Sequence, residues 1–283
     1  MTKQPFLRAF VTPAALCAFG FMAAMAAVLQ YSFRAFIPGS LEPGGFTFAN
    51  FTALLQPLYA RVFLDTVWIC FLTAFFTLLV GYPVAYALVH LRNVFLKSVI
   101  LVIVVTPLFL GEVVRTYSWI IVLGNSGFIN TVLLKIGLID TPLQFMFTRF
   151  GVVVALVHVT LPVMVIMLAA ALSHIDRDYQ KAAESLGAGP IRVFLTVTLP
   201  LSTPGIIAGV TTAFAWTFSA FATPQLIGGG RVNMISNLVY QLGFASFNFP
   251  FAAALCLAGL VLTLVTLMLL RAAARPLEKI GPD

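Results

Sequence analysis

The chain has 283 residues, of which 61% are hydrophobic and only 9% charged, and its mean hydropathy is +1.04. Soluble domains carry about 25% charged residues, so this composition excludes a soluble protein and points to an integral membrane protein. The formal net charge of +7 requires no nucleic acid, because basic loops beside an anionic leaflet account for it.

A hydrocarbon core of ~30 Å needs roughly 20 apolar residues per crossing helix, and six such runs follow one another along the chain. The first, Val11 to Tyr31, follows Lys3 and Arg8 and contains the small-residue stretch Ala23 to Ala27. A cleaved signal peptide is the alternative, but the apolar part exceeds the usual ~7–15-residue signal core, which favours a retained span. The second run is Val62 to Leu91, the third Ser98 to Val122 and the fourth Gly151 to Leu172. The fifth is Gly205 to Ile227 and the sixth Phe251 to Leu270. Their apolar positions are continuous and do not alternate, which predicts helices and not a barrel. The expected fold class is therefore all-α, a polytopic membrane protein with six transmembrane helices. Pro83 and Pro162 each remove a helical hydrogen bond, predicting either static bends or points at which a pathway opens.

With a cytoplasmic N-terminus, Lys3, Arg8, Arg92, Lys97, Arg177, Lys181, Arg192, Arg271, Arg275 and Lys279 share one side, ten of the 16 Lys and Arg. The positive-inside rule then places both termini in the cytoplasm. The same side receives a polar segment between the fourth and fifth spans, "YQKAAESLGAGPIRVFLTVTLP", Tyr179 to Pro200. Asp176 and Asp178 put acid where a helix N-terminus favours it, and Gly187 can turn left-handed at the other end. A helix of about ten residues is predicted, with Tyr179, Ala182, Ala183 and Leu186 on one small apolar face and Lys181, Glu184 and Ser185 elsewhere. Alanines admit the close approach of a groove, so a docked partner explains this face better than water. The alternative is a helix lying on lipid headgroups, for which Ala is a weak anchor.

Chemistry-bearing residues are sparse. Cys17, Cys70 and Cys256 fall inside apolar runs without metal-ligand spacing, and His90, His158 and His174 are scattered. There is neither a Gly-x4-Gly-Lys-[Ser/Thr] phosphate loop nor a Gly-x-Ser-x-Gly turn, so no cofactor is expected in this chain and any ATP must be bound by another. His158, within the fourth span, is either a functional ionisable group or a neutral imidazole bonded to a neighbouring helix. Glu112 and Arg115 are either an intrahelical ion pair or part of a pathway. Tyr117, Trp119, Phe214, Trp216 and Phe221 either line a cavity by cation–π contact or pack between helices and against lipid, Trp119 also fitting an interfacial belt.

Ala182-Ala183, three residues, Gly187, nine residues, Val197, one residue and Leu199-Pro200 resemble the Glu-Ala-Ala-x3-Gly-x9-Ile-x-Leu-Pro signature of permease subunits in ATP-binding-cassette importers. Lys181 stands at the family's Glu and Val197 at its Ile. "RTYSWIIVLGNSGFIN" (115–130), "LPVMVIMLAAAL" (161–172), "FATPQLIGGG" (221–230) and "FNFPFAAAL" (247–255) are similar to the spermidine/putrescine-type branch. The resemblance implies a type I importer permease fold, one permease domain over 1–283, and an ATPase-coupling loop at 174–200. Tyr179, Lys181, Ala182, Ala183, Glu184, Leu186, Gly187, Leu199 and Pro200 would carry the coupling. Implied partners are a second, similar permease chain, two ATPase subunits holding ATP and Mg, and an extracytoplasmic substrate-binding protein at the bacterial inner membrane. Gly124-Asn125-Ser126-Gly127 and Gly228-Gly229-Gly230 would then be outer turns with freedom to fit that protein.

The implied cargo is a polyamine such as spermidine or putrescine. Many relatives carry an acid within a Gly-Asp/Glu-Phe triplet where this chain reads Ser219-Ala220-Phe221, which leaves Asp65 and Glu112 to neutralise an amine. Asp65, Glu112, Tyr117, Trp216, Ser219 and Phe221 are the expected pathway residues. An amino-acid derivative, opine, organic anion or phosphonate is the alternative cargo. An ion-coupled secondary transporter is more remote, because it requires coupling carboxylates, broken helices and an internal repeat, none of which the sequence displays clearly.

Overall fold

The computed structural model describes residues 4–40 and 42–278, with side chains over 11–40 and 42–272. Lys3 and Lys279 of the orientation argument lie outside the described residues, as do the side chains of Arg8 and Arg275. With no water in a bilayer to satisfy backbone groups, apolar runs close their hydrogen bonds within helices. The described helices are α1 (Gln4–Ser32), α2 (Ala49–Leu54), α3 (Pro57–His90), α4 (Val94–Phe109), α5 (Glu112–Leu123), α6 (Phe128–Lys135), α7 (Arg149–Ser173), α8 (Arg177–Ser185), α9 (Pro190–Val193), α10 (Leu199–Leu201), α11 (Thr203–Ser219), α12 (Ala222–Gly228), α13 (Ile235–Tyr240) and α14 (Phe249–Glu278). Two π-helical segments, Phe194–Thr198 and Gln241–Ala245, complete the helical content.

Five stretches are long and apolar enough to cross a membrane: Val11–Ser32, Pro57–His90, Glu112–Lys135, Arg149–Ser173 and Phe249–Ala272. A sixth arises if Pro190–Leu201 and Thr203–Ser219, bent by 65°, form one span. The helices α3 and α7 run through Pro83 and Pro162 without a break.

Two expected spans are not continuous. Ser98 to Val122 divides into α4 and α5 at Leu110 and Gly111, which take extended ψ values of 131° and 145°. Pro107, near the end of α4, has no N–H to carry the ladder forward. Gly205 to Ile227 likewise divides: α11 stops at Ser219, Ala220 is extended with ψ 130°, and α12 restarts at Ala222. The sequence thus contained broken helices that its even hydropathy concealed.

The described parts of Met1–Arg61 and Leu238–Val261 form one compact unit. Within it Phe33 packs against Phe46, Phe48 and Phe51 with ring centroids 4.9–5.5 Å apart. Buried Asn50 closes the turn by donating to the carbonyls of Ser32 and Arg34, both at 2.8 Å.

Val62–Asn237 and the described part of Leu262–Asp283 form the second unit. Its centre is α7, whose Val152, Leu156, Met164, Val165 and Leu168 are fully buried. Small residues bring α11 against it. A Cβ on Gly205 would strike Ala171, and one on Gly209 would strike the Met164 sulfur. Burial also demands partners for polar groups, and the hydroxyls of Thr77 and Thr160 meet at 2.8 Å while Tyr82 meets Ser202 at 2.8 Å.

Candidate functional site

Two places in the second unit carry the polar chemistry. The first is α8. The Asp176 carboxylate accepts from the Asp178 amide at 2.9 Å and caps the helix start. At the other end Gly187 has φ +83°. Its amide donates to the Glu184 carbonyl at 2.9 Å and the Ala188 amide to the Ala183 carbonyl at 3.1 Å. These are the paired bonds of a Schellman ending, which requires a left-handed residue at this position. The acidic start and the glycine stop expected of this helix are both present, and it has nine residues, Arg177–Ser185.

No residue of α8 is buried. Tyr179 is 51% and Leu186 89% exposed, while Ala182 and Glu184 are exposed and Ala183 half-buried. Lys181, at the signature's Glu position, donates from Nζ to Asp178 Oδ1 at 2.8 Å. That contact holds the Asp178 carboxyl below its ordinary range and raises Lys181. The helix is tied to its own chain through Gln180 Nε2, which donates to Thr198 Oγ1 at 3.1 Å. Leu199 and Pro200 follow a π-helical turn in which the Leu199 amide reaches the Phe194 carbonyl, and Pro200 supplies no donor of its own. Four residues after Thr198, Ser202 makes the bond to Tyr82 of α3. A continuous frame of short bonds thus joins α8 to a long apolar helix.

The second place is a cavity of about 250 Å³ walled by parts of α4, α5, α7, α11 and α12. Glu112, Arg115, Trp216, Ser219, Ala220 and Thr223 line it, with Leu108, Leu110, Leu156 and Val159 as its apolar walls. Glu112 and Arg115 do not form the intrahelical pair, since the ion pairs among the described residues are Asp65–Arg149 and Asp178–Lys181. Each instead serves a helix end exposed by a break. Arg115 Nη1 donates to the Pro107 carbonyl at 2.9 Å, near the end of α4, and Glu112 Oε1 accepts from the Ala222 amide at 3.3 Å, at the start of α12. A cation at a C-terminus and an anion at an N-terminus match the helix dipoles. Arg115 is 8% exposed, and its Nε has no partner.

Of the expected pathway residues, the fold brings Glu112, Trp216 and Ser219 together on this cavity. Phe221 precedes α12 as its cap but does not line the cavity, and Tyr117 is 54% exposed away from it. Asp65 accepts twice from Arg149 Nη2, at 2.8 and 2.9 Å. Trp119 Nε1 donates to His158 Nδ1 at 3.1 Å, so His158 is the neutral imidazole bonded to a neighbouring helix and Trp119 is held inward. Sequence reasoning did not single out Thr223, or Thr116, whose hydroxyl lies 3.4 Å from it. A charged residue inside an apolar run was the signal that pointed toward Arg115.

Residues 77–278 match the family described as binding-protein-dependent transport system inner membrane component. The chain is 32% identical over 234 residues to the spermidine/putrescine transport system permease protein PotB of Escherichia coli, covering 83% of this chain and 85% of that one. It is 28% identical over 227 residues to the inner membrane ABC transporter permease protein YdcU of the same organism, covering 76% and 72%. In fold it is similar to a chain of a bacterial alginate ABC transporter solved in complex with alginate pentasaccharide-bound periplasmic protein, with a TM-score of 0.81, 20% identity and coverage of 98% and 96%. A MetNI methionine ABC transporter in an inward-facing conformation gives a TM-score of 0.56 at 21% identity over 80% of this chain and 99% of that one.

Proposed function

The chain belongs to the family of inner-membrane components of binding-protein-dependent transport systems, and we propose that it forms half of the pathway for a small polar solute, a polyamine being favoured. As an ABC importer permease of the bacterial inner membrane it is a translocation subunit and not an enzyme, ATP hydrolysis lying in partner subunits. The family needs no cofactor in this chain, and it works with ATPase and substrate-binding partners.

The chain acts as one permease domain over 1–283 with both termini cytoplasmic, beside a second, similar permease chain. Its 174–200 segment docks on one of two ATPase subunits that bind ATP and Mg, and its opposite face meets an extracytoplasmic binding protein. Tyr179, Lys181, Ala182, Ala183, Glu184, Leu186 and Gly187 form the docking surface, with Leu199 and Pro200 leading back to the spans. The observation that carries this reading is α8: an exposed helix with a small apolar face, closed at both ends and bonded through a short frame to α3. Closure of the ATPases would move that helix and the spans attached to it, which requires a rigid, well-seated contact.

Polyamine cargo is supported by the similarity to PotB, a spermidine/putrescine transport system permease, and by Glu112 on the cavity wall beside Trp216, a carboxylate and an aromatic face suited to an amine. A second reading also has a specific observation in its favour. Ala220 lines the cavity in place of the acid that the resemblance associates with this triplet, while buried Arg115 lines it with an unpartnered Nε. That combination suits a cargo bearing a carboxylate or phosphonate. Uptake by cells lacking and regaining this chain, across polyamines, amino-acid derivatives and organic anions, separates the two. Uptake of spermidine or putrescine that returns with the chain is the expected outcome. Restored uptake of anions alone would exclude amine cargo.

A further inference from the structure

The cavity on α5 and α12 is not the only polar hollow in the second unit. Another, of about 260 Å³, lies where the end of α3, the first turn of α4, the end of α7 and the start of α8 meet. Three cationic or titratable side chains from three elements line it: His90, Lys97 and Arg177. No carboxylate does. The two acids nearest in sequence are committed elsewhere, Asp176 to the cap of α8 and Asp178 to Lys181. His90 Nδ1 lies 3.0 Å from the Tyr86 carbonyl, to which it donates, leaving Nε2 for another partner. Among the described residues, no carboxylate forms an ion pair with Lys97 or Arg177.

Its remaining wall selects among anions. Beside polar Ser173, Gln180 and Thr198, the wall has Val89 and Leu172 from the ends of α3 and α7 and Ile175 just beyond α7, so the hollow sits at the level where an apolar helix meets water, which is also the level of lipid headgroups. Gathered Lys and Arg at this level attract anionic lipid. A free phosphate gains nothing from an apolar wall, whereas a phosphodiester carrying glycerol and the start of its acyl chains does. We propose that this cavity binds the phosphate of an anionic phospholipid headgroup, held by Lys97 and Arg177 with His90 beside them. The bound lipid would touch both α4 and the first residue of α8, so the position of α8 would depend on it. This proposal is independent of the cargo.

The test uses the full-length chain purified with its partner subunits and placed in phosphatidylcholine nanodiscs with increasing phosphatidylglycerol, bound lipid being counted by native mass spectrometry. The parent should retain phosphatidylglycerol through delipidation. A Lys97→Gln, Arg177→Gln double variant should retain it roughly 25-fold less well, from two cations each contributing a factor of about five at a membrane surface. Arg271→Gln, which removes an exposed cation from α14, should leave retention at the parental level. Lys97→Gln alone, outside α8, should show about half the logarithmic loss and serves if the double variant is poorly folded. Equal retention by parent and variants, or an equal loss with Arg271→Gln, would overturn the proposal. So would displacement of the lipid by millimolar inorganic phosphate, which would make this a free-phosphate site.

Discussion

The helix α8 and the cavity on α5, α11 and α12 both depend on helix ends, but they satisfy them by opposite means. At α8 the ends are closed locally, by Asp176 within two residues and by Gly187 within the Schellman ending, and the side chains stay exposed. At the cavity the ends are closed from a distance, by Arg115 reaching eight residues back to Pro107 and Glu112 reaching 110 residues on to Ala222. The exposed helix should therefore be sensitive to its backbone and tolerant of its charges. The cavity should be sensitive to its charges and to how closely the surrounding helices approach.

The largest effect is expected where α11 crosses α7. Gly205→Val places a branched side chain against Ala171, and overpacking of this kind costs about 1–3 kcal/mol or more. The purified chain should lose thermal stability in detergent, and an unchanged unfolding temperature would break the claim that close approach matters here. Next is Glu112→Gln, which keeps an acceptor for the Ala222 amide but removes charge. Amine uptake should fall about tenfold or more, as expected for loss of a charge-assisted contact worth roughly 1–3 kcal/mol, with stability preserved. Should Glu112→Gln lose stability instead, its charge serves the fold and not the cargo.

At α8 the expected order reverses. Gly187→Val meets no neighbour where its Cβ would sit, yet φ +83° makes a β-branched residue cost about 1 kcal/mol or more in the backbone alone. ATPase subunits should dissociate more readily from purified complex while the spans remain folded. Full retention of ATPase content and of substrate-stimulated hydrolysis would remove the docking role. Smallest is Lys181→Ala. The Lys181–Asp178 contact is exposed, and exposed i,i+3 pairs are worth little. Asp178 is held below its ordinary range and Lys181 above its own. Their contribution is therefore present at intermediate pH, lost as pH falls through the depressed Asp178 value and again as it rises through the raised Lys181 value. Lys181→Ala should flatten both flanks of this shallow dependence, measured as thermal stability of the purified chain against pH, and change mid-pH stability little.

This contrast also explains what was legible in the sequence. Local closure leaves local signals, so Asp176, Gly187 and the apolar face of α8 could be read from neighbouring letters, and the long apolar runs gave α1, α3, α7 and α14. The breaks at 110–111 and 220–221 left almost no trace, because hydropathy is averaged over a run and does not register a change in ψ. Pro107 was the available hint for the first. The spacing of Glu112 and Arg115 suggested an ion pair, but spacing cannot reveal that each faces an unsatisfied helix end nearer than its neighbour. Asp65 pairs with Arg149 across 84 residues, a separation no pattern within one sequence encodes. Ser219 and Trp216 line the cavity, whereas Thr223 became visible only once α12 was seen to restart beside Thr116.

The central claim, that α8 seats against a cytoplasmic ATPase subunit, is tested most directly by the accessibility of Ser185→Cys, placed on the exposed helix in a background carrying Cys17→Ser and Cys256→Ser, the two exposed cysteines. Its labelling by a membrane-impermeant thiol reagent is followed in inside-out vesicles with and without the ATPase subunits, and in sealed intact cells. The account predicts fast labelling in stripped vesicles, slow labelling when the ATPase subunits are present, and none in sealed cells. Labelling at the same rate with and without the ATPase subunits would contradict the docking of α8, and labelling in sealed cells would reverse the orientation on which it depends.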